Sequence, residues 1–334
     1  MRIREVDLGD DSALAAFHAV QVDAMVWDRP SGWIRPLGQL VTQVQAGSPY
    51  YRPVLVAAVG GDGRFLGVAE SGFSLQDNTH LADLEIAVRP EVRRRGVGRA
   101  LMEHAERRWR TQGCTSVCGE LHVPSGSALD DTPGYLFGRV FGFDPVHQED
   151  HLVLDLPVDG GQLVELAARA EGIGDEEIVT WLDSCPDELV GAYAALRTQM
   201  ENDVPIGDVD YEPVVVDEAR IRSEEARTRP HWVRLVAAAR RRGDGTMSGY
   251  SCLLVSRSDH HVVQDDTLVM PEHRGHRLGT RLKLATLRIV QSDFPEHRML
   301  HTWTDPDNHA MYRTNTDFGF VARERMHELQ RKDG

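Results

Sequence analysis

Lysine is almost missing from this chain. Lys283 and Lys332 are the only two, so nearly all of the positive charge is arginine. A GC-rich codon usage produces the same bias, and no function is drawn from it. Cysteine is also sparse. Three residues separate Cys114 from Cys118, and Cys185 and Cys252 stand alone, with no second pair and no histidine cluster nearby. That pattern predicts reduced thiols, and neither a disulfide framework nor a metal site is expected. No apolar run approaches the roughly 18 residues of a membrane helix. Met1-Arg-Ile-Arg-Glu-Val-Asp lacks the apolar core of a signal peptide, so the expected location is cytoplasmic. An excess of basic residues is absent too: 37 basic against 52 acidic residues give a formal charge of −15 and a pI near 5.4. This argues against nucleic acid and anionic membranes as partners, and it suits a cationic substrate. Neither a Walker lysine-serine turn nor a Gly-x-Gly-x-x-Gly dinucleotide turn occurs, so a nucleotide-binding protein of another kind ranks low. No coiled-coil repeat is present, which leaves monomer and homodimer both open.

What the chain does have is one turn written twice. Val88-Arg-Pro-Glu-Val-Arg93-Arg-Arg-Gly96-Val-Gly98 is matched by Val269-Met-Pro-Glu-His-Arg274-Gly-His-Arg277-Leu-Gly279. Val88 and Val269, like Gly98 and Gly279, are 181 residues apart; Tyr135 and Tyr312, like Gly142 and Gly319, are 177 apart. At 334 residues the chain exceeds the usual single domain, and four landmarks in near-constant register predict a duplication. In the first copy, helices are predicted at 10–27 and 33–46, and strands at 54–59, 65–75 and 81–88. A helix at 97–112 and a strand at 115–123 follow. Pro157-Val-Asp-Gly-Gly161 is the best linker candidate, which partitions the chain into 1–156, a linker at 157–161, and 162–334. The second copy predicts helices at 186–201 and 215–228, and strands at 233–238, 246–255 and up to Val269. A helix at 278–291, a strand at 299–304 and a helix at 306–316 complete it.

Each turn leads from a strand through a proline and arginines into an amphipathic helix. Free backbone N–H groups and the helix dipole then face an anion, most simply a pyrophosphate. The pattern Val-x-Pro-x-x-Arg-x-x-Gly-x-Gly, followed by a helix and a later Gly-Phe, resembles the GNAT superfamily of acyl-CoA N-acyltransferases, in the tandem form. The resemblance covers nearly the whole chain. It implies a duplicated α+β fold with a mixed, mostly antiparallel central sheet flanked by helices in each domain. It also implies acetyl-CoA as co-substrate and a small-molecule amine as acceptor.

The cofactor-binding candidates follow from those motif positions. In the first copy they are Arg93, Arg94, Arg95, Gly96, Val97 and Gly98. In the second they are Val269, Arg274, Gly275, His276, Arg277, Leu278 and Gly279, with Lys283 nearby. Arg277 departs from the pattern, because it stands where Gly96 stands. Asn308 holds the helix-start asparagine that contacts the pantetheine arm in the family, and it also suits a helix cap.

A general base must take the proton of the attacking ammonium. Glu85 and Asp266, each three residues before the valine, are the candidates, and Asp83 and Asp265 lie beside them. The family's tyrosine acid would stand four residues before the Gly-Phe, where this chain has Gly138 and Asn315. Tyr135 and Tyr312 lie seven residues before it, and two readings stand for them: proton donor to the departing thiolate, or packed helix tyrosine. His301 and Trp303, with Glu120 and His122 as their first-copy counterparts, flank the expected thioester. The stretch 200–212 carries five acidic residues and reads either as a cation-attracting acceptor loop or as a solvated one. The resemblance favours the C-terminal copy for N-acetyl transfer. The alternative is an acyl-CoA binding or sensing protein with degenerate sites.

Overall fold

The computed structural model describes residues 1–29, 32–171 and 175–333. In chain order the elements begin with β1 (Arg2–Glu5), α1 (Asp11–Asp28), α2 (Leu37–Ala46), β2 (Tyr51–Val59), β3 (Phe65–Ser74) and β4 (Leu81–Val88). Next come α3 (Val97–Gln112), β5 (Ser116–Pro124), α4 (Pro133–Val140), β6 (Asp144–Asp155), α5 (Gly160–Ala170), β7 (Glu176–Leu182), α6 (Val190–Asp203) and α7 (Glu218–Thr228). The chain closes with β8 (Trp232–Arg241), β9 (Met247–Ser256), β10 (His261–Val269), α8 (Leu278–Asp293), β11 (Met299–Thr304), α9 (His309–Phe318) and β12 (Val321–Lys332).

Two compact units form, and they depart from the partition expected from sequence. The first takes Met1–Gln148, Ile206–Glu212 and the chain from Arg325 on; the second takes Glu149–Pro205 and Pro213–Glu324. Each unit therefore completes its sheet with a strand from the other half of the chain. In the first, the order is β1-β2-β3-β4-β5, with β12 next to β5. β1 to β4 pair antiparallel, and β4 pairs parallel with β5. In the second, the order is β6-β11-β10-β9-β8-β7, antiparallel except for the parallel pair β10–β11. The expected linker is no free tether either. Asp159 caps α5 through a bond from Gln162 N–H, and Val158 is buried, its N–H donating to Gln291.

Alternation along β2 explains the three layers. Val54, Val56 and Ala58 meet the α3 stripe Val97, Leu101, Ala105 and Trp109. Leu55, Ala57 and Val59 meet Leu14, Phe17 and Val20 of α1 and Leu40 of α2. Each large side chain buried this way contributes about 1.5–3 kcal/mol. The second unit repeats the scheme. Tyr193 and Leu196 of α6 pack on Val236, Ala238 and Tyr250, and Leu284, Leu287 and Val290 of α8 pack on Leu235, Leu253 and Val262. Strands β1 and β7, short or half-exposed edge segments, have too weak a periodicity to be read from sequence, whereas helix α5, with its buried stripe Leu163, Leu166 and Ala170, was legible and went unread.

Candidate active site

Some helix starts carry side-chain caps and others do not; α2, α4 and α6 have none. Asp10 accepts from Ser12 and Ala13 N–H at the start of α1, Asp217 caps α7, and Asn308 caps α9 by accepting from Met311 N–H. Helices α3 and α8 begin with no side-chain cap. Among the described residues no backbone carbonyl accepts from the N–H groups of Arg94 to Gly98, nor from those of Gly275 to Gly279. A methyl group added at Gly96 or at Gly275 would meet nothing within 4 Å. Two open rows of unpartnered N–H groups at helix N-termini fit the pyrophosphate of CoA.

The two turns share one backbone shape. Arg94 and Gly96 are left-handed at φ 63° and 82°, and Gly275 and Arg277 at 87° and 52°. Each copy spends its glycine at a different one of the same two positions. Arg277 therefore adopts the conformation of Gly96 at a cost of about 1–2 kcal/mol, and the turn keeps its shape.

Arg93 and Arg274 are not aimed at phosphate. Arg93 Nε donates to Val88 O at 3.0 Å while its two Nη groups grip Asp28, each at 2.7 Å. Arg274 repeats this, with Nε to Val269 O at 3.0 Å and Nη2 to Asp203 at 2.8 Å. Both arginines are struts tying the turn to the last residue of α1 or α6. The sequence reading gave neither Asp28 nor Asp203 this role, since they stand one and two residues past the predicted helices 10–27 and 186–201. Lys283 is not a phosphate ligand either, because it is 4% exposed and lies inside the second unit.

The strand pairs behind the turns open where a thioester would pass. β4 pairs with β5 only as far as Asp83↔Cys118, and β10 pairs with β11 only as far as Val263↔His301. In the second unit a bulge between Gln264 and Asp266 in the β9–β10 ladder accompanies the opening. The first unit has no such shift between β3 and β4. A methyl on Gly119 would lie 2.8 Å from Leu84 O, and one on Gly98 would lie 3.3 Å from the Phe137 ring; on Gly279 the nearest atom is Val269 Cγ2 at 3.8 Å. The first opening is thus the tighter of the two.

Asp266 follows the bulge. Its Oδ2 accepts from Tyr250 Oη at 2.9 Å and forms an ion pair with Arg197 Nε at 3.4 Å. Burial, reinforced by the charge of Asp265, pushes its carboxyl up to about 7 against the pull of Arg197 and Tyr250. Asp265 itself pairs with Arg234 at 3.2 Å. In the first unit Gln21 donates to Glu85 at 3.2 Å. Glu85 is reached by solvent, yet surrounding protein removes enough water to raise its pKa, helped by Glu70 and opposed by Arg35. Asp83 is raised to about 6 by desolvation and by Glu120.

Tyr312 donates from Oη to buried Asp150 at 3.1 Å, and Tyr135 is buried in the first core beneath the Arg139 guanidinium. Packing is the reading these contacts support. His301 joins a buried row across the sheet, with its Nδ1 3.0 Å from His151 Nε2 and its Nε2 2.7 Å from His261 Nδ1. Burial and the two neighbouring imidazoles bring it down to about 3. Trp303 stacks on His151 at 4.6 Å. His122 lies 3.7 Å from Glu120. Nor is the acidic stretch a free loop. Ser116 donates to Asp210 at 2.7 Å, and Asn78 exchanges two hydrogen bonds with the Glu212 backbone, so residues 206–212 are built into the first unit. The four cysteines are buried and unpaired. No helix among the described residues is long and apolar enough to cross a membrane.

In each unit a mixed sheet opens beside an uncapped helix, with a carboxylate on the strand between. Residues 22–127 match the Acetyltransferase (GNAT) family, and the chain has the GNAT fold in two tandem units. Among known proteins it is similar to the mycothiol acetyltransferase of Rothia mucilaginosa (strain DY-18), 25% identical over 273 residues, covering 75% of this chain and 71% of that protein. In fold it is similar to a tandem GNAT protein from the clavulanic acid biosynthesis pathway, with a TM-score of 0.80 and 24% identity over 100% of this chain and 98% of that one. A GCN5-related N-acetyltransferase from Sphaerobacter thermophilus also shares the fold, with a TM-score of 0.64 and 14% identity over 99% and 95% of the two chains.

Proposed function

We propose that the C-terminal unit carries the N-acetyltransferase activity, moving the acetyl group of acetyl-CoA directly to an amine of a small molecule, with Asp266 as general base. The match of residues 22–127, in the first unit, to the acetyltransferase family and the likeness of the whole chain to a mycothiol acetyltransferase support the reaction class and the donor. The observation that carries the assignment is Asp266 itself. It follows the bulge where β10 leaves β11, and its carboxyl is brought to about 7 by burial and Asp265, so it can take a proton near neutral pH. Tyr250 and Arg197 both hold Oδ2, which leaves Oδ1 for the incoming amine. The N–H row from Gly275 to Gly279 would hold the pyrophosphate, with His276 and Arg277 at its edge. The N-terminal unit offers the matching N–H row and Glu85, behind a tighter opening.

The test is thiol release from acetyl-CoA with a panel of small amines, run on wild type, Asp266→Asn and Glu85→Gln. The assignment requires Asp266→Asn to lose turnover and Glu85→Gln to keep most of it. The reverse result would move catalysis to the first unit. A second reading, an acyl-CoA binding protein without turnover, is favoured by the absence of the family tyrosine at Gly138 and Asn315. It predicts CoA binding by calorimetry with no thiol release from any amine.

A further inference from the structure

The two openings differ in what lines them. In the second unit Lys283 Nζ lies 3.2 Å from Gln264 Oε1 and 2.9 Å from Asn315 Oδ1. Asn315 Nδ2 in turn donates to Thr304 Oγ1 at 2.9 Å. Gln264 Nε2 donates to Cys252 O at 2.7 Å and to Asp266 O at 2.8 Å, so one amide bridges the bulge and touches the ammonium. Gln264 is the first residue of β10 beyond its last pairing with β11, and Thr304 is the last residue of β11. Lys283 is thus bracketed by the two strands where they separate. In the first unit the same register places Leu84 at Gln264, Met102 at Lys283, Gly138 at Asn315 and Leu121 at Thr304. A wholly apolar set stands where the second unit has a connected polar one.

A buried lysine without a carboxylate is costly. Only amide oxygens and the face of Phe320, 5.7 Å away, reach this ammonium, and no ion pair to it occurs among the described residues. A merely packed side chain would carry no charge there, as Met102 shows in the first copy. Burial alone brings Lys283 down to about 7, so it gives up a proton near neutral pH.

We infer that Lys283, oriented by Asn315 from the position where the family keeps its tyrosine, protonates the sulfur of departing CoA. This rests on the C-terminal unit being the catalytic one. When the amine nitrogen has bonded to the acetyl carbon, its proton passes to Asp266. The carbon–sulfur bond then breaks, its electron pair stays on sulfur, and the sulfur takes a proton from Lys283 Nζ. Solvent restores the lysine proton and removes the one on Asp266.

With only two lysines in the chain, the inference can be read directly. A Lys332→Arg chain grown on [6-13C]lysine shows one lysine signal. That signal should titrate near pH 7. Bound CoA should raise its midpoint by one pH unit or more, because the sulfur and the amine then share a proton, and bound desulfo-CoA should leave it in place. Calorimetry establishes that both ligands bind, and Gly279→Trp must remove one binding site from the stoichiometry. Identical titrations with CoA and desulfo-CoA, both bound, would overturn the role of Lys283 while leaving the C-terminal assignment standing. A CoA stoichiometry unchanged by Gly279→Trp would overturn the assignment first, and the inference with it. In support, Lys283→Met should slow thiol release from acetyl-CoA about 100-fold with CoA affinity unchanged. A loss of affinity at unchanged turnover would make Lys283 a wedge between the strands and refute the proton transfer.

Discussion

Replacing Asp266 with asparagine should reverse its effect on stability across a defined pH window. The carboxyl is raised from 3.8 to about 7 in the folded protein, first by burial and then by Asp265. Between those values the folded state holds a proton that the unfolded state has released, so wild-type stability falls as pH rises through the window. Below 3.8 both states are protonated and nothing is lost; above about 7 both are ionised and the full cost remains. At 1.36 kcal/mol per pH unit, a rise from 3.8 to about 7 corresponds to about 4 kcal/mol. Asparagine can still accept from Tyr250, and it does not titrate. The Asp266→Asn chain should therefore gain on wild type by up to about 4 kcal/mol between pH 4 and pH 8. Thermal or urea unfolding of the pair across that range, in parallel, measures the gain. Acetyl transfer should show the complement, with a wild-type rate climbing about tenfold per pH unit to a plateau near 7 and a variant slowed 100-fold or more. A stability difference that stays flat from pH 4.5 to 8.5 would refute the reasoning. Asp266 would then be an ordinary surface carboxylate, with no claim to act as a base near neutrality.

Lys283→Met should behave oppositely. The buried ammonium is brought down from 10.5 to about 7, so its cost is complete below 7 and vanishes as pH approaches 10.5. The variant should be the more stable chain at pH 6, and that advantage should disappear by pH 10. Arg277→Gly should stabilise the second unit by about 1 kcal/mol by relieving a left-handed arginine, without weakening CoA binding measured by calorimetry. Asp203→Ala should free Arg274 and weaken CoA binding in the second unit several-fold, whereas Asp28→Ala should leave turnover near wild type. Gly98→Trp should destabilise the first unit, where Phe137 already crowds the position. Gly279→Trp, where an added Cβ meets only Val269 Cγ2 at 3.8 Å, should remove CoA from the second unit with a smaller change in melting midpoint.

Much of the fold was legible because it rests on local signals. Gly60-Gly-Asp-Gly63 turned β2 into β3, Pro90 and Pro271 ended β4 and β10, and the Leu101, Ala105 and Trp109 stripe marked α3. The paired turns were legible for the same reason, since their residues are consecutive. The candidate base was legible through its fixed distance from the valine. Partners that meet only in three dimensions were not. Asp28 gripping Arg93, Tyr250 and Arg197 on Asp266, and Gln264, Asn315 and Thr304 around Lys283 are brought together from different elements. No periodicity records such meetings. The domain boundary failed for a related reason: Pro157-Val-Asp-Gly-Gly161 has linker composition, but composition cannot report that β12 finishes the first unit's sheet.

By itself, then, the amino-acid order determined that the chain is a duplication, that each copy presents the same basic turn before a helix, and that a carboxylate precedes each turn at constant spacing. Backbone propensity and turn chemistry act over a few residues and leave their mark in order. The inequality of the two copies was decided only by the tertiary structure. Arg277 adopts the backbone of Gly96, Phe137 crowds Gly98, and a bulge at Asp265 accompanies only the second of the two openings. Desolvation, which brings Asp266 and Lys283 each to about 7, depends on everything packed around a group. That environment comes into being only when distant segments close over it.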